Sequence, residues 1–117
     1  MRITRLAAAL VAAAITATTL ASCSDDEGST DAPVLSVTIE GADVRPNAQA
    51  IDLASGEELE VEVESDRAGE LHVHAKPEQY LEFDAGTTHA TLVITTPGSV
   101  EVEDHETGAV VALLQVR

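Results

Sequence analysis

Two histidines separated by a single residue are the strongest sign of chemistry in this sequence. His72 and His74 flank Val73 in a short segment that alternates apolar side chains with imidazoles. On an extended strand, side chains two residues apart lie on the same face, about 7 Å from each other. Imidazoles at that spacing can converge on one metal ion, about 2.0–2.1 Å from each nitrogen. The pair therefore predicts either a divalent transition-metal site or polar surface residues without a ligand.

The other two histidines lie in separate segments. Glu103 and His105 alternate with Val102, so on a strand their side chains share the face opposite to that valine. Imidazole together with carboxylate is a donor set that suits Zn²⁺ or Cu²⁺. His89 begins a different segment, and we interpret it as an ordinary surface residue.

The elements that must position these side chains are strands. Residues 58–64 alternate glutamate with leucine or valine without a break, residues 99–103 follow the same pattern, and residues 109–116 form a nearly continuous apolar run. Tyr80 and Phe83 are the only aromatic residues, so the core must be built from valine, leucine and isoleucine, which favour strands. Turn signals recur every 8 to 12 residues, which predicts an all-β sandwich of about seven short strands.

The order of these motifs resembles the cupredoxin family. Residues 51–63, with their Gly-acid turn before an alternating strand, are similar to the second and third strands of that family. Residues 71–74 fall where it carries its first histidine ligand, and residues 97–102 are similar to the Pro-Gly turn and the strand that lead to the copper cysteine. The closest likeness is to small secreted or lipid-anchored domains of the Gram-positive envelope. The resemblance implies a small Greek-key, cupredoxin-like β-sandwich over residues 34–117.

The blue-copper chemistry of that family does not transfer to this chain. Counted from the Pro-Gly turn, the family's copper cysteine falls at Asp104, and the one cysteine and one methionine of the chain are Cys23 and Met1. A blue-copper site requires a thiolate and usually a weak axial methionine. Strand parity adds that His72 and His74 point away from a core that contains Leu71. We therefore exclude electron transfer through a blue-copper site.

The resemblance does bring the histidine segments together. In a cupredoxin-like sandwich, the strand with the first histidine lies beside the strand that leads to the cysteine position. His72, His74, Glu103 and His105 are then expected on one outer sheet face, where they could hold Cu²⁺ or Zn²⁺.

The first 33 residues are typical of export and lipid attachment. Two arginines precede an uncharged stretch over residues 6–20, as in a secretory signal. Leu20-Ala21-Ser22-Cys23 matches a lipobox, so we predict a signal peptide over 1–22, lipidation of Cys23 and a flexible acidic tether over 23–33. These features predict a protein anchored at the outer face of the cytoplasmic membrane. The alternative is an ordinary signal peptide followed by a chance cysteine.

The mature chain is strongly acidic. Loss of Arg2 and Arg5 with the signal leaves four basic residues against 21 acidic ones, a net charge of −17. Such a field excludes nucleic-acid binding and concentrates cations at the surface. The glutamate ladder over residues 58–64 is interpreted either as an edge strand protected from aggregation by charge or as a face that attracts Ca²⁺ or a basic partner.

No pattern of catalytic residues is present. No Gly-x-Ser-x-Gly elbow or Ser-His-Asp order occurs, so we expect a protein that is not an enzyme. The leading hypothesis is an extracytoplasmic lipoprotein with a degenerate cupredoxin-like domain that binds Cu²⁺ or Zn²⁺ through surface histidines. The alternative is a metal-free envelope module that docks a basic or cationic partner through its acidic surface.

Overall fold

Alternating apolar and polar residues form strands throughout residues 31–117, the part of the chain that the computed structural model describes. The predicted signal peptide (1–22), the lipidation site Cys23 and all but the last three residues of the predicted tether lie outside the described residues. Nine strands are present in the described part: β1 Val34–Glu40, β2 Asp43–Arg45, β3 Gln49–Leu53, β4 Glu58–Ser65, β5 Gly69–Val73, β6 Gln79–Phe83, β7 Gly86–Val93, β8 Gly98–Asp104 and β9 Val110–Val116.

The strands form two sheets. One sheet has the order β2-β1-β4-β7 and the other has the order β3-β9-β8-β5-β6. β1 pairs in parallel with β4, and β3 pairs in parallel with β9, while the remaining pairs are antiparallel. The all-β sandwich predicted from the sequence is confirmed. Within residues 31–117 there is no helix of the length and hydropathy needed to span a membrane.

The prediction of about seven strands falls short by two. β2 has only three residues, and β6 follows a loop with no strong strand signal. Both are edge strands, which are held by pairing on one side only. In β6, Leu81 and Phe83 face inward and alternate with Tyr80 and Glu82, which face outward. A period-two pattern is therefore present but short.

Aliphatic side chains fill the space between the sheets. Leu71 and Val73 of β5 are fully buried, as are Leu114 and Val111 of β9. Phe83 is the one aromatic side chain in the buried core of the described residues. Burial of each large aliphatic side chain contributes about 1.5–3 kcal/mol, so this packing fixes which face of each strand points outward. The predicted outward orientation of His72 on β5, and of His74 just beyond it, follows from this packing.

The interpretation of the glutamate ladder as an edge strand is wrong. The ladder is β4, which lies inside its sheet between β1 and β7. Its carboxylates do point outward, but the residues opposite them on β7 carry no negative charge: Glu60 faces Thr91, and Glu62 faces His89. Like charges directly across a ladder destabilise a sheet, and this register avoids them. The lack of acidic residues opposite the ladder, rather than an edge position, therefore makes it compatible with the interior of the sheet.

Candidate metal centre

The candidate site is built on β5, which lies between β8 and β6 in the five-stranded sheet. The antiparallel register places His72 opposite Glu103 of β8 on one side and opposite Tyr80 of β6 on the other. Directly opposed residues share a face, so all three side chains project from the outer surface of the sheet. The expected neighbourhood of the histidine strand and the strand leading to the cysteine position is thus confirmed.

His74 lies one residue beyond the end of β5 and remains tied to the sheet. Its backbone N–H donates a hydrogen bond to the carbonyl oxygen of Glu101 at 2.9 Å, which continues the pairing with β8. The rings of His72 and His74 lie 4.0 Å apart between centroids, at an interplanar angle of 35°. The two imidazoles therefore stand side by side on the outer face, as their spacing predicts.

Glu103 completes a group of three donors. Its Oε1 atom lies 3.2 Å from Nε2 of His74 and 3.7 Å from Nδ1 of His72. One donor atom from each of these residues lies within 4.8 Å of the others. His72 is half-buried, with 14% of its side chain exposed, while His74 is exposed to 37%. The group is thus open to solvent on the His74 side and closed on the His72 side.

A local irregularity accompanies Glu103. The register between β8 and β9 shifts at the step from Val102 to Glu103, where Val111 is an extra residue in β9. Such bulges bend a strand and change the direction of nearby side chains, and they are common beside functional sites. The bulge also explains why Val111 and Ala112, although consecutive, are both buried.

His72 is held by contacts on its other side. Its ring stacks on Tyr80, with centroids 4.6 Å apart and an interplanar angle of 12°. Its Nε2 atom is shielded from solvent and has no hydrogen-bond partner, and Oε2 of Glu78 lies 3.5 Å away. The same carboxylate oxygen accepts a hydrogen bond from the Tyr80 hydroxyl at 3.0 Å. That hydrogen bond lowers the pKa of Glu78 and raises the pKa of Tyr80 from their ordinary values.

The other two histidines occupy different positions. The ring of His105 lies 6.4 Å from that of His72, edge-on, next to the three-residue group but outside it. His89 lies on β7 of the opposite sheet, where Nδ1 is 3.6 Å from a carboxylate oxygen of Glu62. The structure thus brings His72, His74 and Glu103 together, places His105 at the margin, and leaves His89 on the other side of the sandwich.

Asp104 occupies the position that the resemblance assigns to the copper cysteine. Its side chain is fully buried, and Oδ2 accepts hydrogen bonds from Nη2 of Arg67 at 2.8 Å and from the N–H and hydroxyl of Thr107 at 3.0 and 2.6 Å. Burial raises the pKa of Asp104, but these hydrogen bonds and the guanidinium outweigh it and hold the pKa below its ordinary value. A carboxylate compensated by arginine offers no thiolate, so these residues do not fit a blue-copper centre.

The comparisons with known proteins support the fold. The sequence matches no protein-family model and no curated protein. Among solved structures, a Cu(I) form of an amicyanin variant aligns at a TM-score of 0.52 with 15% identity, covering 74% of this chain and 82% of that one. A purple cupredoxin from Nitrosopumilus maritimus aligns at a TM-score of 0.52 with 9% identity, covering 73% of this chain and 99% of that one.

A larger protein contains the same fold as a part. A multi-copper oxidase from Pediococcus acidilactici aligns at a TM-score of 0.53 with 12% identity, covering 75% of this chain but only 27% of the oxidase. These alignments confirm that the domain has a cupredoxin-like fold. At such low identity the likeness concerns the fold alone.

Sequence reasoning missed two residues of this surface, Glu78 and Tyr80. The alternation over residues 79–83 was the available signal, because it places Tyr80 on the outer face beside β5. No local signal exists for the pairing of Arg67 with Asp104, because these residues are 37 positions apart in the chain.

Proposed function

We propose that this protein is a non-enzymatic, lipid-anchored envelope protein that binds Cu²⁺ or Zn²⁺ through His72, His74 and Glu103. The observation that carries the proposal is the convergence of two imidazole nitrogens on one carboxylate oxygen, at 3.2 and 3.7 Å. Imidazole with carboxylate is the donor set that these two ions accept. Bound there, the ion would supply a positive charge that offsets the surrounding carboxylates.

The separations between the donor atoms fit such an ion. Ligands about 2.1 Å from a tetrahedral metal lie about 3.4 Å from one another. The two separations from Glu103 Oε1 lie on either side of that value. Each imidazole therefore already lies near ligand spacing from Glu103, while the three donor atoms together lie within 4.8 Å of one another. The stacking of His72 on Tyr80 already restricts the side-chain rotamers of His72, which lowers the conformational entropy lost when a metal binds.

The charge of the protein supports cation binding. Apart from the histidines, the chain after Cys23 carries four basic and 21 acidic residues. A negative field of this kind raises the local concentration of cations, although it does not select among them. Selectivity would come from the histidine nitrogens, which distinguish transition metals from Ca²⁺ and Mg²⁺.

Calorimetric titration of Cu²⁺ and of Zn²⁺ tests the proposal. The full chain with Cys23→Ser, kept in a non-ionic detergent, lacks a competing thiol. We expect one ion per chain, with affinity reduced about tenfold or more by His72→Ala, His74→Ala or Glu103→Gln. His105→Ala measures the contribution of the marginal ring.

His89→Ala is the matched control for this titration. It removes an exposed imidazole that also contacts a glutamate, but on the opposite sheet. Equal losses in His89→Ala and His72→Ala would mean nonspecific binding by an acidic surface, and the proposal would then be wrong.

The proposed location depends on Cys23. A lipobox, an uncharged stretch too short to cross a bilayer and an acidic tether support lipid attachment at the outer face of the cytoplasmic membrane. Cells fed a labelled palmitate should label the wild-type protein in the membrane fraction. Cys23→Ser should lose both the label and the retention, and a variant that keeps the label would refute the assignment.

A metal-free docking module is the competing function. The observation that favours it is the outward row of carboxylates on β4, on the sheet opposite to the one that carries His72. This function predicts that immobilised polylysine retains the wild-type chain. Replacement of Glu60 and Glu62 by glutamine should abolish the retention, and His72→Ala should leave it unchanged. Stoichiometric metal binding lost in His72→Ala would instead support the metal site.

A further inference from the structure

We propose that Glu78 is the positioning residue of the metal centre, which holds the Nε2 proton of His72 and so presents Nδ1 as the ligand atom. This inference deepens the proposed function and rests on it for the role of the metal. The arrangement of the His72 proton, however, is a property of the metal-free protein and can be measured without any ion.

One ring nitrogen of His72 is unsatisfied. Nε2 is shielded from solvent and has no hydrogen-bond partner, while Nδ1 faces Glu103. A shielded N–H without an acceptor destabilises the folded protein. Oε2 of Glu78 lies 3.5 Å away, so a shift of about 0.5 Å would give a hydrogen bond of ordinary length. The proton therefore belongs on the side of Glu78.

Glu78 is itself held in position by Tyr80. The Tyr80 hydroxyl donates to the same Oε2 atom at 3.0 Å, and the Tyr80 ring stacks on His72. Tyr80 thus fixes the position of the Glu78 carboxylate and also the plane of the His72 imidazole that this carboxylate faces. Glu78 has an exposed side chain, and this double contact gives it a defined position despite that exposure.

The chemistry of metal-binding histidines explains what this arrangement does. A histidine ligand usually donates its second ring N–H to a carboxylate, which fixes the tautomer and increases the basicity of the coordinating nitrogen. With the proton held at Nε2, the lone pair of Nδ1 is directed toward the side where Glu103 and His74 lie. Loss of such a partner typically lowers metal affinity about 10- to 100-fold.

Nitrogen NMR of the metal-free protein is the direct test. Long-range ¹H–¹⁵N spectra distinguish the two imidazole tautomers, and His72→Ala assigns the signals. At about pH 8.5, where an unperturbed imidazole is neutral, we expect His72 of the Cys23→Ser chain to carry its proton at Nε2. Glu78→Ala should allow the other tautomer, whereas Glu78→Gln, which retains an acceptor oxygen, should preserve the wild-type one. A wild-type His72 protonated at Nδ1 would overturn the inference.

Metal titration provides the second readout, with Glu82→Ala as the matched control. Glu82 lies on β6, on the same outer face as Tyr80, and carries the same charge as Glu78. The β5–β6 register places it opposite Glu70, whereas Tyr80 lies opposite His72. We expect Glu78→Ala to weaken binding about 10- to 100-fold and Glu82→Ala to have a much smaller effect. Equal losses would show that only the summed charge matters and would overturn the positioning role.

The two proposals fail in different ways. If the chain binds no Cu²⁺ or Zn²⁺, but the protonation of His72 at Nε2 depends on Glu78, the metal function alone is refuted. A chain that binds metal through His72 with a Glu78-independent tautomer would refute the positioning role alone.

Discussion

Replacement of Asp104 by alanine removes the carboxylate that joins three parts of the domain. Asp104 is fully buried at the end of β8, Arg67 reaches it from the loop before β5, and Thr107 binds it from the loop before β9. The variant leaves the Arg67 guanidinium without its buried counter-charge and leaves the N–H of Thr107 without its acceptor. Both losses act on the folded state.

The expected loss follows from the burial of each partner. Breaking a buried ion pair by removing one member typically costs about 3–5 kcal/mol. The Arg67 side chain is 19% exposed and its Nη1 atom lies 3.1 Å from Glu106, so Asp104→Ala should lie at the lower end, about 3 kcal/mol. Arg67→Ala leaves a fully buried carboxylate and should cost about 4 kcal/mol. Because the pair interacts directly, the double variant should lose less than the sum of the two.

Urea unfolding followed by far-UV circular dichroism measures these losses. A domain of this size has a slope of about 1–1.5 kcal/mol per molar urea, so Asp104→Ala should lower the midpoint by about 2–3 M. Arg45→Ala is the control, because its ion pair with Glu40 is exposed on both sides and should leave the midpoint nearly unchanged. Equal shifts in Asp104→Ala and Arg45→Ala, or strict additivity in the double variant, would refute the reasoning.

Three further results are expected. Gly69→Ala would place a Cβ atom 2.6 Å from the buried Phe83 ring and should cost about 1–3 kcal/mol in the same urea assay; an unchanged midpoint would contradict this packing. The pKa of Asp104 in the folded protein lies below its ordinary value, so the ionised carboxylate stabilises the fold above about pH 4. This stabilisation is lost as the pH falls through the folded pKa, and Asp104→Asn should flatten this part of the acid-unfolding profile. Tyr80 is the only tyrosine of a chain without tryptophan, so the intrinsic fluorescence reports on the ring that stacks on His72. Cu²⁺ should quench this fluorescence in the wild type but much less in His72→Ala. Equal quenching would argue against a metal site beside Tyr80.

Most of the fold could be predicted because burial repeats with a period of two. The alternation in β4 and β8 identifies strands and assigns their faces, and both assignments agree with the structure. The position of β4 within its sheet could not be predicted. Its carboxylates suit an edge, yet β4 pairs with β1 on one side and β7 on the other, where no residue opposite its carboxylates is acidic.

The candidate site was also predictable only in part. The pairing of His72 with His74 was predictable from two residues and their spacing, and the proximity of Glu103 followed from the resemblance to cupredoxins. Glu78 and Tyr80 were not predicted, since β6 is a short edge strand that returns alongside β5 after a loop. The contact between Tyr80 and His72 depends on the register of that pairing, which both strands set together rather than a pattern within either one.

The sequence by itself determined two properties of this protein: the outward direction of the paired imidazoles and the lack of a thiolate for blue copper. The first follows because Leu71 and Val73 must be buried, and the second follows from residue identity alone. Only the tertiary structure decided that Tyr80 and Glu78 also contact His72. Hydrogen bonds between strands set the register that places Glu103 opposite it across β8 and Tyr80 opposite it across β6, and those bonds join residues that are distant in the chain or separated by a loop.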